Sequence, residues 1–392
     1  MIVLGTQSAR YSGDIPAFER RTVRVSTDPH RPRALRQREA FVVRSDDVPE
    51  GFGWYILVDR PSRNLDAPTI ELSADFNHLA DGDVLRLAPT KHSLRVLFRR
   101  NASINSFLLT ERCNNLCLMC SQPPRNVNDG WIVDEILEAL PLIDPDVPEI
   151  MFSGGEPTLL GDRFFELVQA CKSYLPRTAL HVLSNGRSFA NAEFAAKLGR
   201  IQHHDIMIGI PIYSDLSHVH DYVVQADGAY DETLRGVLNL RQAGVPVEIR
   251  VVLHKQTVSR LPALAEFITR NLLFVNHVAL MGLEMTGFTK ANLEDLWIDP
   301  IEYRAPLSKA VGILDRAKIR TSIYNSQLCL LDRTMWPFAR QSISDWKQEY
   351  MPECDGCTIK DRCGGFFSSA HLRYSSHIEP VTGATGEPVE LT

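Results

Sequence analysis

The regular alternation of strand-like and helical segments between residues 104 and 300 is the feature that most constrains the fold. Six short, β-prone apolar segments are separated by five stretches with helical periodicity. This alternation is typical of βαβ units on a parallel sheet, and six such strands predict an α/β fold with an open, partial (β/α)6 barrel. The candidate strands are 107–110, 149–153, 179–184, 206–212, 247–253 and 277–283, and the candidate helices lie near 132–141, 162–175, 191–199, 231–243 and 260–271.

The segments on either side of this pattern have a different character. Residues 1–103 contain short β-prone runs broken by Pro, Gly and Asp, which predict an N-terminal β-rich domain that either recognises a partner or covers the next domain. After residue 300, a helical stretch at 303–317 and a strand-like stretch at 319–324 could complete the sheet before the chain becomes cysteine-rich. We therefore predict three domains, over residues 1–103, 104–300 and 301–392.

The composition excludes several classes of protein. A hydrophobic content of 44% and a charged content of 23% fit an ordinary globular protein. The net charge of -6 argues against nucleic-acid binding led by electrostatics, although arginines at 20, 21, 24, 31, 33, 36, 38 and 44 make the first fifty residues locally basic. The initial apolar run is too short for a signal peptide, and no segment approaches a membrane span of about 18 apolar residues. We expect a cytoplasmic protein, in which eight cysteines are not expected to form disulfides.

Three thiols follow the first candidate strand directly. Cys113, Cys117 and Cys120 lie within eight residues, in the order Cys-x3-Cys-x2-Cys. Three closely spaced thiolates can hold a soft metal or an iron-sulfur cluster, and a set of three leaves one coordination position open for chemistry. From the spacing alone, two alternatives stay open, a zinc site with a distant fourth ligand and three buried cysteines that bind nothing.

Two turns follow the second and third candidate strands. The glycines of Ser-Gly-Gly-Glu-Pro-Thr (153–158) allow the backbone to approach a ligand without a β-carbon in the way. Leu-Ser-Asn-Gly (183–186) carries short polar side chains that suit a sugar hydroxyl but are equally common in plain turns. Each signal is weak alone. In a parallel α/β fold, however, both turns and the three thiols converge at the carboxyl ends of the strands.

Taken together, the cysteine spacing, the Gly-Gly-Glu-Pro turn and the Ser-Asn-Gly turn resemble the radical S-adenosylmethionine (radical SAM) superfamily over about residues 104–290. The resemblance implies that Cys113, Cys117 and Cys120 ligate a [4Fe-4S] cluster whose fourth iron binds S-adenosylmethionine (SAM). It further implies cofactor contacts from Met119, Gly154, Gly155, Glu156, Ser184, Asn185 and Arg250.

These implied contacts have distinct roles. The glycines and Glu156 would border the methionyl amino group, and the Ser-Asn pair would lie near the ribose. Arg250 would serve the SAM carboxylate or ribose. Met119 occupies a position that is often aromatic and packs beside the adenine in this superfamily, and its thioether can make a comparable contact. An electron from a donor such as flavodoxin or ferredoxin would cleave SAM to a 5'-deoxyadenosyl radical, which removes a hydrogen atom from the substrate.

A second cysteine group lies near the end of the sequence. Cys329, Cys354, Cys357 and Cys363 form a complete ligand set for one [4Fe-4S] cluster or one zinc ion. The Cys-x2-Cys-x5-Cys run resembles part of the auxiliary-cluster (SPASM-like) extension of peptide-modifying radical SAM enzymes. Because no cysteine follows Cys363, we expect a shortened, single-cluster version. The eighth cysteine, Cys171, falls on an apolar helix face and is predicted to be a core residue.

Two segments narrow the resemblance. Residues 117–124, and 346–354 leading into 363–367, are similar to the radical SAM maturases of the His-Xaa-Ser peptide system, in particular the C-type member of a paired set. The resemblance implies a ribosomally made precursor peptide as substrate and a paired radical SAM maturase as partner. Two alternatives stay open, a radical SAM enzyme acting on RNA or a small molecule and a zinc-stabilised interaction protein without catalysis.

The segment 213–230 is predicted to be a long loop on the active side of the sheet. Its polar residues His218, His220, Asp221 and Tyr222 could contact substrate or relay a proton or electron, or could belong to a solvated loop. Glu284, after the sixth strand, has the same two interpretations. No catalytic residue is assigned from the sequence.

Overall fold

The structure is a computed structural model that describes residues 3–15, 18–341 and 348–382. Its described residues form two β-sheets, an eight-stranded mixed sheet followed along the chain by a seven-stranded parallel sheet with helices. Trp346, with which one of the segments used for the maturase resemblance begins, lies outside the described residues. In the part of the chain that the structure describes, no helix combines the length and apolar character needed to cross a bilayer.

The first sheet lies within the predicted β-rich region. Its strands pair in the order β1-β8-β7-β3-β4-β5-β6-β2, and the pairs between β3 and β6 are parallel. One face buries a separate core that includes Val25, Trp54 and Ile56. The strands are β1 Gly5–Thr6, β2 Arg10–Ser12, β3 Arg21–Ser26, β4 Glu39–Val42, β5 Trp54–Val58, β6 Thr69–Leu72, β7 Val84–Ala88 and β8 Ser93–Phe98, with a short helix α1 Arg33–Arg36 between β3 and β4.

The second sheet is the predicted partial barrel. All seven strands run parallel in chain order, from β9 at one edge to β15 at the other, so the curled sheet stays open. The sequence predicted its first six strands and a segment that completes it, and the sheet continues beyond residue 300 to include that segment. The strands are β9 Asn105–Leu108, β10 Glu149–Ser153, β11 Ala179–Leu183, β12 Ile206–Pro211, β13 Val247–Leu253, β14 His277–Gly282 and β15 Thr321–Tyr324.

Helices connect these strands and bury their apolar faces against the sheet. The five predicted helices correspond to α2, α3, α4, α6 and α8, and Cys171 is buried on α3 as predicted. Asn191 caps α4 by accepting hydrogen bonds from the backbone N–H groups of Glu193 and Phe194. The helices are α2 Trp131–Ala139, α3 Asp162–Tyr174, α4 Ala192–Ile201, α5 Ser217–Val224, α6 Ala229–Gln242, α7 Lys255–Val258, α8 Leu261–Asn271, α9 Phe288–Ala291, α10 Leu293–Leu296 and α11 Arg304–Arg316.

The prediction of a long loop over 213–230 is wrong, because α5 occupies its centre. His220 on this helix is buried and accepts a hydrogen bond from the backbone N–H of Tyr213 (3.2 Å). Asp221 accepts from the N–H groups of Gly228 and Tyr230, each at 2.8 Å. These two side chains therefore stabilise the connection into α6 rather than extending from a solvated loop.

After β15 the described chain is held by short 3-10 turns rather than by long elements. These turns place the second cysteine group, because two of its thiols lie within turns and Cys363 directly follows one. The turns are Leu328–Leu330, Arg333–Phe338, Pro352–Cys354, Lys360–Arg362 and Ser368–Leu372.

Candidate active site

The loop that carries the first three thiols, residues 113–120, follows β9 and is held by backbone hydrogen bonds to the end of α5. The N–H of Leu116 donates to the carbonyl of Val224, and that of Leu118 donates to the carbonyl of Val223, both at 3.0 Å. The N–H of Cys120 donates to the carbonyl of Cys117 (3.0 Å). We call this segment the cysteine loop. The helix that was not predicted therefore fixes its backbone.

A second set of contacts reaches the cysteine loop from residues far along the chain. The Thr289 hydroxyl donates to the carbonyl of Met119 (3.1 Å), and the Asn292 amide donates to the carbonyl of Leu118 (2.9 Å). The N–H of Phe288 donates to the carbonyl of Cys120 (2.8 Å). Helix α9 and Asn292, which directly precedes α10, thus add hydrogen bonds to the loop besides those with α5.

The glycine turn after β10 pairs with the chain just before the cysteines. The N–H of Gly155 donates to the carbonyl of Thr110 (2.8 Å), and that of Glu156 donates to the carbonyl of Arg112 (2.7 Å). Gly154 has a φ of +149°, and a Cβ there would lie 2.5 Å from the Thr110 oxygen. A Cβ at Gly155 would overlap the carbonyl oxygen of Arg112. Only glycine allows these two backbones to lie this close.

Glu156 connects the glycine turn with the Ser-Asn turn after β11. Its fully buried carboxylate accepts hydrogen bonds from the Ser184 hydroxyl (2.8 Å) and the Asn185 N–H (2.6 Å). It also accepts from the N–H and the hydroxyl of Thr158, at 3.0 and 2.6 Å. Burial raises the pKa of Glu156, and these hydrogen bonds oppose that rise. The carboxylate therefore acts on the site through the Ser-Asn turn.

The Ser-Asn turn is in turn joined to the cysteine loop. The Asn185 amide donates to the Asn114 side-chain oxygen (2.6 Å). Arg187 donates to the carbonyl of Asn114 (2.6 Å) and to the side-chain oxygen of Asn115 (2.7 Å). The loops after the first three strands thus form one hydrogen-bonded unit at the carboxyl edge of the sheet.

These loops surround a cavity of about 300 Å³, which we call the cysteine cavity. All three thiols line it, as do most of the residues for which the sequence predicted a cofactor contact. Glu156 is not among the residues that line it, because its side chain lies beneath the Ser-Asn turn. The predicted residues that line the cavity besides the cysteines are Met119, Gly154, Gly155, Ser184, Asn185 and Arg250.

The thiols of the cysteine loop are largely withdrawn from solvent. Burial raises the pKa of Cys113 to about 11 and that of Cys117 to about 12, and it also raises the pKa of Cys120. The N–H of Asn115 donates to the Cys113 sulfur at 3.4 Å. Since metal ligation requires thiolates, binding of a metal here is coupled to the release of these protons.

Arg250 lies where the cysteine cavity meets a second cavity inside the barrel. Its guanidinium donates to Glu248 Oε1 (2.6 Å) and to the Met281 sulfur (3.1 Å). Arg250, Met281, Glu284 and Asn325 line both cavities, so the two spaces adjoin. We call the second space, of about 580 Å³, the inner chamber.

The inner chamber is lined by a group of charged side chains and by a group of mostly apolar side chains that includes three methionines. On the charged wall, Glu248 also contacts His277 Nδ1 (2.6 Å) and lies 3.4 Å from His181 Nε2. Burial raises the pKa of Glu248, but the contacts with His181, His277 and Arg250 outweigh burial and hold that pKa well below its usual value. The apolar wall is formed by Ile104, Met151, Met207, Met281, Tyr324 and Phe367. The sequence analysis missed Glu248 and His277, although their alternation with apolar residues along β13 and β14 was a signal for inward-facing polar positions.

The four thiols of the second group lie close enough to influence one another. Burial raises the pKa of Cys329, and the thiols of Cys363 and Cys354 raise it further. The N–H of Leu328 donates to the Cys363 sulfur (3.4 Å). Cys329 and Cys354 pack against an apolar cluster that contains Met285 and Phe366. The structure thus brings together the chain segments that carry these cysteines.

Neither cysteine group converges on a single point. Within residues 3–15, 18–341 and 348–382, no three histidine, cysteine or carboxylate side chains are arranged to hold one metal ion. The ligands of a [4Fe-4S] cluster bind different irons, so they are spread around the cluster rather than gathered at one atom. Three soft thiol donors lining one cavity, beside a glycine turn without β-carbons, fit such a cluster.

Comparison with known proteins identifies the family. Residues 107–268 match the profile of the radical SAM superfamily, so this part of the chain is a radical SAM domain. The superfamily uses a [4Fe-4S] cluster and SAM, and the second cysteine group fits an auxiliary cluster.

Three curated relatives match parts of the chain. Fe-coproporphyrin III synthase of Methanosarcina barkeri is 28% identical over 165 residues, 41% of this chain and 39% of the relative. Pre-heme d1 synthase of Dinoroseobacter shibae is 30% identical over 161 residues, 40% of this chain and 38% of the relative. AdoMet-dependent heme synthase of Nitratidesulfovibrio vulgaris is 27% identical over 230 residues, 56% of this chain and 59% of the relative. Each match covers less than two thirds of the relative.

Solved structures with similar folds include two bound to SAM. Streptococcus suis SuiB with S-adenosylmethionine is 16% identical, with a TM-score of 0.45, over 65% of this chain and 54% of that chain. Native anSMEcpe with AdoMet and the Kp18Cys peptide is 14% identical, with a TM-score of 0.49, over 71% of this chain and 92% of that chain.

Proposed function

We propose that this protein is a radical SAM enzyme that modifies a ribosomally made peptide, with Cys113, Cys117 and Cys120 holding the SAM-binding [4Fe-4S] cluster. The observation that carries the enzymatic part is the cysteine cavity, in which all three thiols share one space with the glycine and Ser-Asn turns. When bound, the cluster and SAM supply hydrogen-atom abstraction by a 5'-deoxyadenosyl radical.

The chain's own residues bind, orient and shield these cofactors. Gly154 and Gly155 would border the SAM amino group, and Ser184 and Asn185 would lie near the ribose. Glu156 is a positioning residue, because its carboxylate holds the Ser-Asn turn in place. Arg250 would serve the SAM carboxylate or ribose from the junction of the two cavities, and Met119 would pack beside the adenine. Their shared role is to keep water and unintended targets from the reacting atoms.

The experiment for the enzymatic part is anaerobic reconstitution with iron and sulfide, followed by SAM and a reductant. If both cysteine groups hold [4Fe-4S] clusters, we expect about eight irons per chain and formation of 5'-deoxyadenosine. About four irons with one zinc would assign zinc to the second group. An intact cluster that yields no 5'-deoxyadenosine would contradict the proposal, and zinc without iron or sulfide would make a zinc-stabilised interaction protein the better description.

Support for a peptide substrate comes from the second cysteine group and from the inner chamber. The Cys354-x2-Cys357-x5-Cys363 run resembles the extension of peptide-modifying enzymes, and residues 117–124 resemble the C-type His-Xaa-Ser maturases. The inner chamber adjoins the cysteine cavity, and its thioether wall can adapt to a side chain while Glu248 and the histidines offer polar contacts. A precursor peptide could therefore place one side chain beside the SAM site.

The substrate experiment is mass spectrometry of a candidate precursor peptide encoded beside the gene, after incubation with reconstituted enzyme and SAM. We expect a mass change located to one residue of a repeat, with or without a paired maturase in the reaction. A shift that needs the paired maturase would assign that protein as a partner. RNA retained in moderate salt, with no binding of the peptide, would favour an RNA substrate instead.

The curated relatives favour one other substrate class. All three are named for synthesis of haem or a related tetrapyrrole. The cysteine loop lies within the region that matches the superfamily profile, residues 107–268. Arg250 and Arg320, which line the inner chamber, could meet a carboxylate of such a ligand. Absorbance titration with iron coproporphyrin tests this candidate. Stoichiometric binding that blocks 5'-deoxyadenosine formation in the presence of the peptide would favour a tetrapyrrole.

A further inference from the structure

Tyr213 is a buried tyrosine beside the cysteine loop for which the proposed mechanism has no role. It lies two residues beyond the end of β12, is 7% exposed, and lines the cysteine cavity together with all three thiols. Its side chain packs in the same apolar cluster as Met119, and Cys117 packs against that cluster.

The surrounding contacts fix the Tyr213 ring. Its backbone N–H donates to Nδ1 of the buried His220 on α5, and the centroids of the two rings lie 5.8 Å apart. Val223 and Leu296 pack in the same cluster, and both belong to helices that also contact or border the cysteine loop. The phenol is therefore held by the same elements that hold the thiols.

The phenol O–H is a donor that the cysteine cavity leaves accessible. Among the residues that the structure describes, it makes no hydrogen bond, and it is not one of the fully buried polar atoms, although the Tyr213 side chain as a whole is buried. A phenol keeps its proton at neutral pH, so the group remains a donor. A donor on the wall of this cavity is available to an acceptor there, and the acceptor that metal binding would create among the lining residues is a thiolate sulfur.

We propose that the Tyr213 hydroxyl donates a hydrogen bond to the Cys117 sulfur once that thiolate binds the cluster, and thereby raises the reduction potential of the cluster. This inference rests on the proposed function. A hydrogen bond to a ligating sulfur stabilises the reduced cluster, which carries the extra negative charge, more than the oxidised cluster. Tyr213 is then a positioning and tuning residue rather than a catalytic one.

The test is a potentiometric titration of Tyr213→Phe and wild-type protein, each reconstituted anaerobically and followed by electron paramagnetic resonance. The SAM-binding cluster is identified as the signal that changes when SAM is added. Loss of the hydrogen bond should lower the equilibrium constant for its reduction by about tenfold, which is about 59 mV for a one-electron couple. The signal of the second cysteine group should not move.

Tyr230→Phe is the matched control, because the Tyr230 hydroxyl donates to the carbonyl of Asp215 (3.1 Å) and does not line the cysteine cavity. Its potential should equal that of wild type. An unchanged potential in Tyr213→Phe, with iron content and 5'-deoxyadenosine formation intact in wild type, would overturn this inference alone. Weaker SAM binding without a change in reduction potential would indicate that the phenol contacts SAM rather than the Cys117 sulfur. That result would also overturn this inference. Wild-type protein that assembles no cluster would refute both this inference and the proposed function.

Discussion

The two cysteine groups are built in different ways, although each contains a run of three closely spaced cysteines. The first lies on one loop that donates backbone hydrogen bonds to α5 and accepts hydrogen bonds from α9, from Asn292 and from the turn after β11. The second collects Cys329 from one turn and three more cysteines from a separate stretch, between 3-10 turns and an apolar cluster.

This difference teaches what each site is suited for. In the first group several elements hold the backbone by hydrogen bonds, and the thiols line a cavity. This arrangement suits a cluster that must leave room for a ligand. In the second group four thiols supply a full ligand set, which suits a cluster or metal without an open position. The predictions below separate the two groups, from the largest expected effect to the smallest.

Removing a ligand from the first group should abolish chemistry. For Cys117→Ala we expect iron to fall from about eight to about four per chain and 5'-deoxyadenosine formation to fall by more than about a hundredfold, since loss of even an outer-shell partner costs 10–100-fold. Iron analysis and product chromatography measure both. Cys171→Ala, in the core of α3, should keep full iron content. Normal turnover by Cys117→Ala would remove the assignment of the cysteine loop.

Removing a ligand from the second group should separate iron content from SAM cleavage. We expect Cys357→Ala to lose about four irons while reduced protein still forms 5'-deoxyadenosine within about tenfold of wild type, because the cysteine cavity is intact. Modification of the peptide should fall further than SAM cleavage. Equal loss of both activities would show that the two groups do not act independently, and loss of zinc instead of iron would identify a zinc site.

A glycine in each region tests how tightly its backbone is packed. Gly155→Ala places a Cβ on the carbonyl oxygen of Arg112, whereas Gly364→Ala places one 2.7 Å from the carbonyl oxygen of Ser326. We expect Gly155→Ala to weaken SAM binding and to reduce the free energy of unfolding by about 3 kcal/mol, with a smaller loss for Gly364→Ala.

Gly312→Ala on α11 is the control for both glycine variants. Among the described residues, a Cβ at Gly312 would come within 4 Å only of the end of the Arg316 side chain. We expect this variant to raise the free energy of unfolding by up to about 1 kcal/mol. Denaturant unfolding and SAM calorimetry measure these effects. Equal losses in the free energy of unfolding for Gly155→Ala and Gly364→Ala would contradict the expectation that the backbone is packed more tightly at Gly155.

The smallest effect is expected at Glu156. Glu156→Gln keeps the shape but replaces one of the two carboxylate oxygens with an amide N–H₂, so it loses the acceptor either for Asn185 N–H at Oε2 or for Thr158 N–H at Oε1. We expect SAM affinity to fall by about tenfold with iron content unchanged. Glu166→Gln, exposed on α3, should match wild type in SAM calorimetry. Unchanged affinity in Glu156→Gln would show that the Ser-Asn turn does not depend on this carboxylate.

The elements with strong local periodicity could be predicted from the sequence. The β10 and β11 strands and the α3 helix have apolar patterns that match their buried faces. The cysteines could be recognised from their short spacing in the sequence. The short helix α5 could not be predicted, because its eight residues mix buried and exposed positions without a clear apolar stripe. Its role in fixing the cysteine loop arises from tertiary contacts that leave no local signal.

The side-chain roles around the site show the same division. The glycines were predicted to let the backbone approach a ligand, and the structure shows a second need for them, the close contacts with the carbonyl oxygens of Thr110 and Arg112. The sequence could not place Glu156 beneath the Ser-Asn turn, because that depends on how the loops after β10 and β11 pack together. Tyr213 belongs to no recognisable sequence motif. It lies near the thiols because the end of β12 and the cysteine loop meet in the folded chain.

The hydrogen bonds from α9 and Asn292 to the cysteine loop also have a consequence for the order in which parts of the protein fold during translation. The Asn292 amide and the carbonyl of Leu118 are 174 positions apart in the chain. During translation the three cysteines leave the ribosome long before the residues that complete their loop exist, and contacts of such high sequence separation form late. We therefore expect the proposed cluster to be inserted into this loop after the barrel has folded, because a nascent chain stalled before Asn292 would present the three thiols on an unfinished loop.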